Sequence, residues 1–230
     1  MTLLFAGDPL PGGPEQDVAL GQRLLREGFG AAREFLRVYS PAPTAAFSRR
    51  DSLRPGYLAA VEAVRASDFA PVVRPQGGSL AAYHPGSVVV DHVFRTPDAA
   101  QGTTERFKRF AALHAEALRG FGIDARIGAV PGEYCPGDYS VSLAGTRKLV
   151  GSAQRVTRDG WLFSTVVQVT GAAALREPLI AAYAALGYDF DPPTVGAAED
   201  GAPGVTVEAV TAALLSAYGA TGPAQPPPAW

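Results

Sequence analysis

The sequence predicts a single α+β domain, built on a mainly antiparallel β-sheet with helices packed against it. Strand-like segments are joined by tight turns, and the clearest is Asp159-Gly160, between predicted strands from Arg147 to Thr157 and from Trp161 to Val169. Helical segments are interspersed, and the clearest runs from Thr103 to Arg119 with apolar residues tending to one side. With 230 residues and 47% hydrophobic content, the chain can bury one large core.

The other elements follow from the same two periodicities. Further helices are predicted from Asp17 to near Glu27, Leu58 to Arg65, Leu175 to Leu186 and Val207 to Tyr218. Further strands are predicted from Glu34 to Tyr39, Ala45 to Ser48, Val72 to Val73, Leu80 to Tyr83, Ser87 to Phe94 and Ser140 to Leu143. The strands between Pro71 and Phe94 have the pattern of a β-meander. We expect the domain to cover residues 1–221 and the proline-rich residues 222–230 to be disordered.

Composition argues against several classes of function. Twenty Lys and Arg against 22 Asp and Glu give a net charge of -2, which lacks the basic excess of a nucleic-acid-binding protein. One cysteine and three scattered histidines give no metal-ligand spacing, so no metal site is expected. The N-terminus has no basic segment of a signal peptide, and no stretch approaches the ~18 apolar residues of a membrane span. The sequence therefore predicts a cytoplasmic protein with no membrane partner.

The most informative segment surrounds the single cysteine. Gly132-Glu-Tyr-Cys135-Pro-Gly-Asp-Tyr-Ser140 places the thiol in a predicted loop, whereas an inert cysteine more often lies in an apolar run. Arg147 and Lys148 begin the following strand, and a hairpin could bring one of them back toward the loop. A neighbouring cation would lower the pKa of the thiol from ~8.5 and increase its thiolate fraction.

A second segment reads Arg74-Pro-Gln-Gly77-Gly78-Ser79, followed by Tyr83-His84-Pro85-Gly86. Two adjacent glycines allow a ligand to approach the backbone closely, although an ordinary hairpin turn would use the same residues. The segment is neither a dinucleotide-binding fingerprint nor a P-loop.

These segments, together with Phe47-Ser-Arg-Arg-Asp51, Pro55-Gly56-Tyr57 and Arg147-Lys-Leu-Val-Gly-Ser-Ala-Gln-Arg155, resemble the catalytic domain of biotin and lipoate protein ligases. Within that family they look most like the cysteine-dependent octanoyltransferase and lipoyl amidotransferase branch. The resemblance extends from about Asp17 to Val169, and it implies the class II ligase fold.

The resemblance also implies roles for individual residues. Cys135 would be the acyl acceptor, and Lys148 would contact the acyl carbonyl or acyl phosphate. The acyl pocket would be lined by Arg74, Gly77, Gly78, Ser79, Tyr83, His84, Gly151, Ser152, Ala153 and Gln154. We expect Lys148 to be needed for chemistry and not for stability, because its partner would be present only during the reaction.

The activity that the resemblance implies is transfer of an octanoyl or lipoyl group through a Cys135 thioester onto a carrier lysine. The donor would be acyl carrier protein or a lipoylated or octanoylated carrier domain, and the acceptor a lipoyl domain or the glycine cleavage H protein. No cofactor would be needed.

The alternative is a lipoate ligase that uses ATP and Mg. Ser79, where those ligases have a third glycine, favours the transferase, whereas Tyr83-His84-Pro85-Gly86 looks more like the ligases and the main octanoyltransferases. A non-catalytic effector-binding or scaffold protein is the third possibility.

Residues outside these segments have simpler interpretations. His114 is expected at the surface or at a boundary of its helix, and Asp91 and His92 are expected to form a satisfied polar pair. Arg49 and Arg50 are read as a solvated pair, which only the resemblance would assign to carrier docking or to the pocket.

Overall fold

The computed structural model describes residues 3–220, and it confirms the predicted α+β fold with a mainly antiparallel sheet. The strands are β1 (Leu3–Ala6), β2 (Glu34–Tyr39), β3 (Thr44–Ser48), β4 (Ala70–Arg74), β5 (Ala81–Tyr83), β6 (Ser87–Arg95), β7 (Ala125–Ile127), β8 (Val141–Leu143), β9 (Arg147–Thr157) and β10 (Gly160–Gln168). The helices are α1 (Gly13–Glu27), α2 (Tyr57–Ala66), α3 (Thr103–Arg119), α4 (Ala173–Leu186) and α5 (Val207–Ala217). Short 3₁₀ turns cover Asp51–Leu53, Pro192–Thr194 and Ala198–Asp200. The proposed tail, residues 222–230, lies outside the described residues.

The main sheet has seven strands in the order β1-β2-β6-β10-β9-β8-β7. Strands β1 and β2 are parallel, and the other neighbours are antiparallel. In this register Ser164 of β10 lies opposite Asp91 of β6 and opposite Ala153 of β9. Residues that face each other across adjacent strands point to the same side of the sheet, so these three side chains share one face.

A smaller sheet has the order β4-β3-β5, in which β3 is parallel to β4 and antiparallel to β5. The predicted β-meander between Pro71 and Phe94 is therefore wrong. Helix α2 connects β3 to β4 and returns the chain in the same direction, which makes that pair parallel. Strand β5 then pairs with β3, while β6 crosses to the main sheet between β2 and β10. Turn residues alone did not indicate these long-range pairings.

Helices cover both faces of the main sheet. On one face, α3 and α5 pack over Val88, Val90 and Val167. On the other, α1 packs Leu20, Leu24 and Leu25 against Val93 and Leu162. The small sheet, α2 and α4 form a further apolar cluster that includes Tyr134, next to the cysteine loop. The functional cavity lies where this cluster meets the main sheet.

Two interpretations of histidines are wrong. His114 is fully buried and its Nε2 lies 2.9 Å from the hydroxyl of Tyr218, and burial lowers its pKa to about 3. His92 pairs with Glu34, with 2.7 Å between Nε2 and Oε1, and not with Asp91. Neighbouring residues on a strand face opposite ways, so His92 lies under α3 while Asp91 lines the cavity.

The predicted helices and strands form, with ends that differ from the predictions by a few residues. Strands β1 and β7 were not predicted, because three or four residues are too few to show a clear alternation. Trp161 packs into an aromatic cluster with Phe110 and Phe163. No helix in residues 3–220 is long and apolar enough to cross a membrane.

Candidate active site

The thiol of Cys135 lies between the loop that carries it and the glycine pair of the second segment. Its Sγ is 3.3 Å from the backbone nitrogen of Ser79 and 3.5 Å from Nη2 of Arg74. The cysteine has a φ of +44°, which is rare for a residue with a side chain. Its backbone N–H donates to the hydroxyl of Tyr183 at 2.6 Å, and that hydroxyl donates to the carbonyl of Leu80 at 2.9 Å. The strained backbone conformation is therefore held by a buried tyrosine of α4.

Glu133 organises the cysteine loop from inside. Its carboxylate accepts hydrogen bonds from the backbone nitrogens of Val130 and Gly137, at 3.1 and 3.3 Å, and from the hydroxyl of Ser140 at 2.8 Å. It also forms an ion pair of 2.8 Å with Lys148, and both side chains are almost fully buried. A buried carboxylate needs such partners to offset its desolvation. Glu133 thus fixes both the loop and the lysine.

Lys148 is saturated with hydrogen bonds before any substrate arrives. Its Nζ donates to the carbonyls of Tyr134 and Cys135, at 3.0 and 2.8 Å, and pairs with Glu133. An ammonium group has three donors, so these partners use all of them. The expectation that Lys148 has no partner in the free protein is wrong, and an acyl carbonyl could be bound only by exchange for one of these contacts.

The electrostatic environment favours the thiolate. Burial raises the pKa of Cys135, but the charges of Arg74 and Lys148, with the hydrogen bonds from Ser79 and Arg74, more than offset this, so the pKa lies below its usual value. Thiolates are the nucleophilic form of cysteine. Lys148 lowers the pKa of the thiol as predicted, but Arg74 on the neighbouring segment lowers it more.

Gly78 makes the close approach of these groups possible. A Cβ at this position would lie 2.8 Å from Sγ of Cys135 and 2.8 Å from Nη2 of Arg74, and its φ is +99°. Any side chain would displace the thiol or the guanidinium and would also strain the backbone. At Gly77 a Cβ would meet nothing within 4 Å.

A cavity of about 490 Å³ opens beside the thiol. Of the residues proposed from the sequence, its lining includes Cys135, Lys148, Arg74, Gly77, Gly78, Tyr83, Gly151, Ser152, Ala153 and Gln154. Ser79 is not part of this lining, and its hydroxyl accepts a hydrogen bond of 2.8 Å from Arg50. His84 is not brought to the cavity: its ring packs against Gly86 and Gly171.

The structure adds residues that sequence reasoning did not assign to the site. Among them are Gln76, Asp91, Glu133, Ser164, Gln168 and Tyr183. A charged Asp91 in the apolar run of Ser87–Arg95 is a signal that could have pointed to the site, because a polar residue in a buried strand needs a partner. Within residues 3–220, no group of three or more His, Cys, Asp or Glu side chains could hold a metal ion.

Residues 13–191 match the family model of the lipoyl protein ligase A/B catalytic domain. Among characterised relatives, an octanoyl-[GcvH]:protein N-octanoyltransferase of Geobacillus kaustophilus is 27% identical over 160 residues, which are 70% of this chain and 56% of the relative. The enzyme of the same name from Exiguobacterium sibiricum is 29% identical over 123 residues, 52% of this chain and 43% of its own. The chain thus spans about half the length of these relatives.

Two solved structures have the same fold. Lipoate-protein ligase A bound with ATP superimposes with a TM-score of 0.71 at 19% identity, covering 95% of this chain and 84% of the ligase. The bipartite lipoate protein ligase of Thermoplasma acidophilum gives 0.67 at 18% identity, covering 96% and 84%. The family model covers well over half of the sequence and includes both segments that meet at the thiol. The chain therefore belongs to the lipoyl protein ligase A/B catalytic domain family.

Proposed function

We propose that this protein transfers an octanoyl or lipoyl group from one carrier to a lysine of another, through a thioester on Cys135. The observation that carries the proposal is the position of the thiol at the wall of a cavity of acyl-chain size. Its Sγ contacts the guanidinium of Arg74 and the backbone N–H of Ser79, and the charge of Lys148 adds to that of Arg74 in lowering its pKa. The relatives named as octanoyltransferases support the same reaction class.

In the first half reaction, the Cys135 thiolate attacks the acyl carbonyl of the donor. A carbon–sulfur bond forms to Cys135, the bond from the acyl carbon to the donor sulfur or nitrogen breaks, and the leaving group takes up a proton. The N–H of Ser79, 3.3 Å from Sγ, is a donor that can stabilise the developing oxyanion. Lys148 contributes its charge, and it can also reach the oxyanion if it releases one loop carbonyl.

In the second half reaction, the neutral amine of the acceptor lysine attacks the thioester. A carbon–nitrogen bond forms, the carbon–sulfur bond breaks, and the amine loses its proton as the thiolate leaves. The charges of Arg74 and Lys148 that favour the thiolate also make it a better leaving group. One environment therefore serves both steps.

The names of the relatives favour an octanoylated GcvH as donor and a protein lysine as acceptor. Acyl carrier protein as donor, and a lipoyl domain or the glycine cleavage H protein as acceptor, are the other carriers that we consider. The reaction as written needs neither ATP nor a metal. The cytoplasm is the compartment that we expect.

A second candidate, an ATP-dependent lipoate ligase with Mg, is favoured by a cleft behind the glycine pair. This cleft is lined by Arg49, Arg50 and Arg155 together with Gly77 and Gly78. Guanidinium groups suit phosphate oxygens, so the cleft could hold a triphosphate next to the acyl cavity. In this reaction Cys135 would not carry the acyl group.

The two candidates differ in what they require. We would incubate the protein with octanoylated GcvH and an unmodified lipoyl domain without ATP, and in parallel with octanoic acid, ATP and Mg. The mass of the lipoyl domain reports transfer. The proposal expects transfer in the first mixture and its loss in Cys135→Ser, whereas transfer only in the second mixture would favour the ligase.

A further inference from the structure

Asp91 brings a carboxyl group into the wall of the acyl cavity. It lines the cavity two residues along β6 from Val89, which faces Val166 of β10, and the residue is only 7% exposed. Its Oδ1 accepts a hydrogen bond from the hydroxyl of Ser164, and that hydroxyl accepts one from the amide of Gln76. The carboxyl group has no role in the two half reactions proposed above.

Asp91 lies toward helix α1, because Val93 and Leu162, the next residues on this face of β6 and β10, pack against that helix. Gln168, which also lines the cavity, lies 3.4 Å from the hydroxyl of Tyr134, the residue before Cys135. Ser164 lies four residues further along the same strand, about 13 Å away at the rise of an extended strand, and opposite Asp91. Cys135 and Asp91 line the same cavity, so an acyl chain on Cys135 that runs along this strand toward α1 reaches Asp91.

Helix α1 closes the cavity beyond Asp91. The next residues that face this side, Val93 of β6 and Leu162 of β10, are fully buried. Leu162 packs so closely that a Cβ on Gly21 of α1 would lie 2.7 Å from its Cδ1. A chain cannot continue past the carboxyl group without displacing this packing.

The basic residue whose charge acts on the Asp91 carboxyl is already paired with another carboxylate. Arg37, its register partner on β2, is fully buried and forms an ion pair with Asp17 of α1. Burial raises the pKa of Asp91 to about 6, although the hydrogen bond from Ser164 and the charge of Arg37 lower it. The carboxyl oxygens are polar in either protonation state, so contact with an alkyl end that would desolvate them is disfavoured.

We propose that Asp91 determines which acyl groups the cavity accepts, because it forms a polar end that stops a plain alkyl chain and accepts a hydrogen bond from a chain that ends in a hydroxyl group. The inference rests on the proposed function only in treating the cavity as the acyl site.

The expected sizes follow from general magnitudes. Each methylene buried in the apolar part improves affinity about fourfold. An alkyl end pressed against the carboxylate removes its solvation without replacing it, which costs roughly tenfold to a hundredfold. A terminal hydroxyl restores a partner for the carboxylate. Affinity should therefore fall where a growing alkyl chain reaches Asp91, and a hydroxyl at that point should recover it.

The test measures binding of free acids to the whole chain by calorimetry, and the rate of acylation of Cys135 from the matching thioesters. The series is octanoate, decanoate and dodecanoate, each beside its ω-hydroxy analogue. In the wild type we expect a fall of at least about tenfold between octanoate and dodecanoate, with most of it recovered by ω-hydroxydodecanoate. Equal binding of octanoate, dodecanoate and the hydroxy acid would overturn the inference without any variant.

Two substitutions separate polarity from shape. Asp91→Val should accept dodecanoate at least tenfold better than the wild type and lose the preference for the hydroxy acid. Asp91→Asn keeps a polar acceptor of nearly the same size for Ser164, so it should bind the acids in the same order of affinity as the wild type. The role of the polar end would be contradicted if Asp91→Val bound the acids with the same relative affinities as the wild type. It would also be contradicted if Asp91→Asn bound dodecanoate better than ω-hydroxydodecanoate. Thermal unfolding checks that each variant folds.

The two readouts keep this inference apart from the proposed function. If the free acids show the expected pattern but Cys135 is never acylated, the transferase fails and the specificity role of Asp91 stands. If Cys135 is acylated equally fast by all chains, the transferase stands and the role of Asp91 fails.

Discussion

The ammonium of Lys148 lies 2.8 Å from Oε2 of Glu133 and 2.8 Å from the carbonyl oxygen of Cys135. One buried ion pair therefore connects strand β9 with the loop that carries the thiol. The lysine that the family resemblance assigns to the acyl carbonyl is also a structural component of the site, and its substitution should affect folding as well as turnover.

We expect Lys148→Ala to lower the free energy of unfolding by about 3 to 5 kcal/mol, because it leaves the carboxylate of Glu133 buried without its cation. Urea denaturation measures the change. Lys148→Met combined with Glu133→Gln should recover part of this loss, since both charges are removed. Arg147→Ala is the control: Arg147 precedes Lys148, pairs with Asp200 at 3.5 Å and is half exposed, so about 1 kcal/mol or less is expected. A loss for Lys148→Ala no larger than that of the control would contradict this account.

Arg74 should contribute more than any other side chain to the activation of the thiol. Its guanidinium is the largest of the influences that lower the pKa of Cys135, so Arg74→Met should raise that pKa. The pH profile of alkylation by iodoacetamide reports the thiolate, and its midpoint should move to higher pH in the variant. Arg158→Met, which removes an exposed arginine whose charge is not among those that act on the pKa of Cys135, should leave the midpoint in place. The same midpoint in both variants would remove Arg74 from the mechanism.

The glycine pair offers a matched comparison. Gly78→Ala should destabilise the protein by about 1 kcal/mol or more, because alanine is strained at positive φ, and it should displace the thiol or Arg74. Gly77→Ala adds the same methyl group where nothing lies within 4 Å, so the alkylation rate of Cys135 should change little. Stopped-flow alkylation and thermal unfolding test both variants. If the two alanines had equal effects, the close approach at Gly78 would not matter.

Local patterns predicted most of the elements, because periodicity and turn residues act over short distances. The hairpin at Asp159-Gly160 formed as expected between β9 and β10. The parallel pairing of β3 with β4 was missed, because it depends on where α2 returns the chain and not on either strand. Long-range pairing is a property of the whole fold, which a local pattern does not encode.

In the candidate site, too, the local motifs were predicted and the contacts between distant segments were not. Family motifs led to Cys135, Lys148 and the glycine pair, and these residues meet in the structure. They did not lead to Glu133 as the partner of Lys148, or to Asp91 in the wall of the cavity, because these roles depend on distances between separate strands and loops. His84, which lies in a motif, is turned away from the cavity by its packing against Gly86 and Gly171.

The most direct test of the account is the mass of the protein itself after exposure to octanoylated GcvH, or to octanoyl acyl carrier protein, in the absence of ATP. Denatured protein should carry a single added octanoyl group that hydroxylamine removes, and peptide mapping should place it on Cys135. Cys135→Ser should fold normally and carry no hydroxylamine-labile group. An unmodified wild-type protein that still transfers octanoyl to a lipoyl domain, or a Cys135→Ser variant that transfers at the normal rate, would contradict the thioester mechanism.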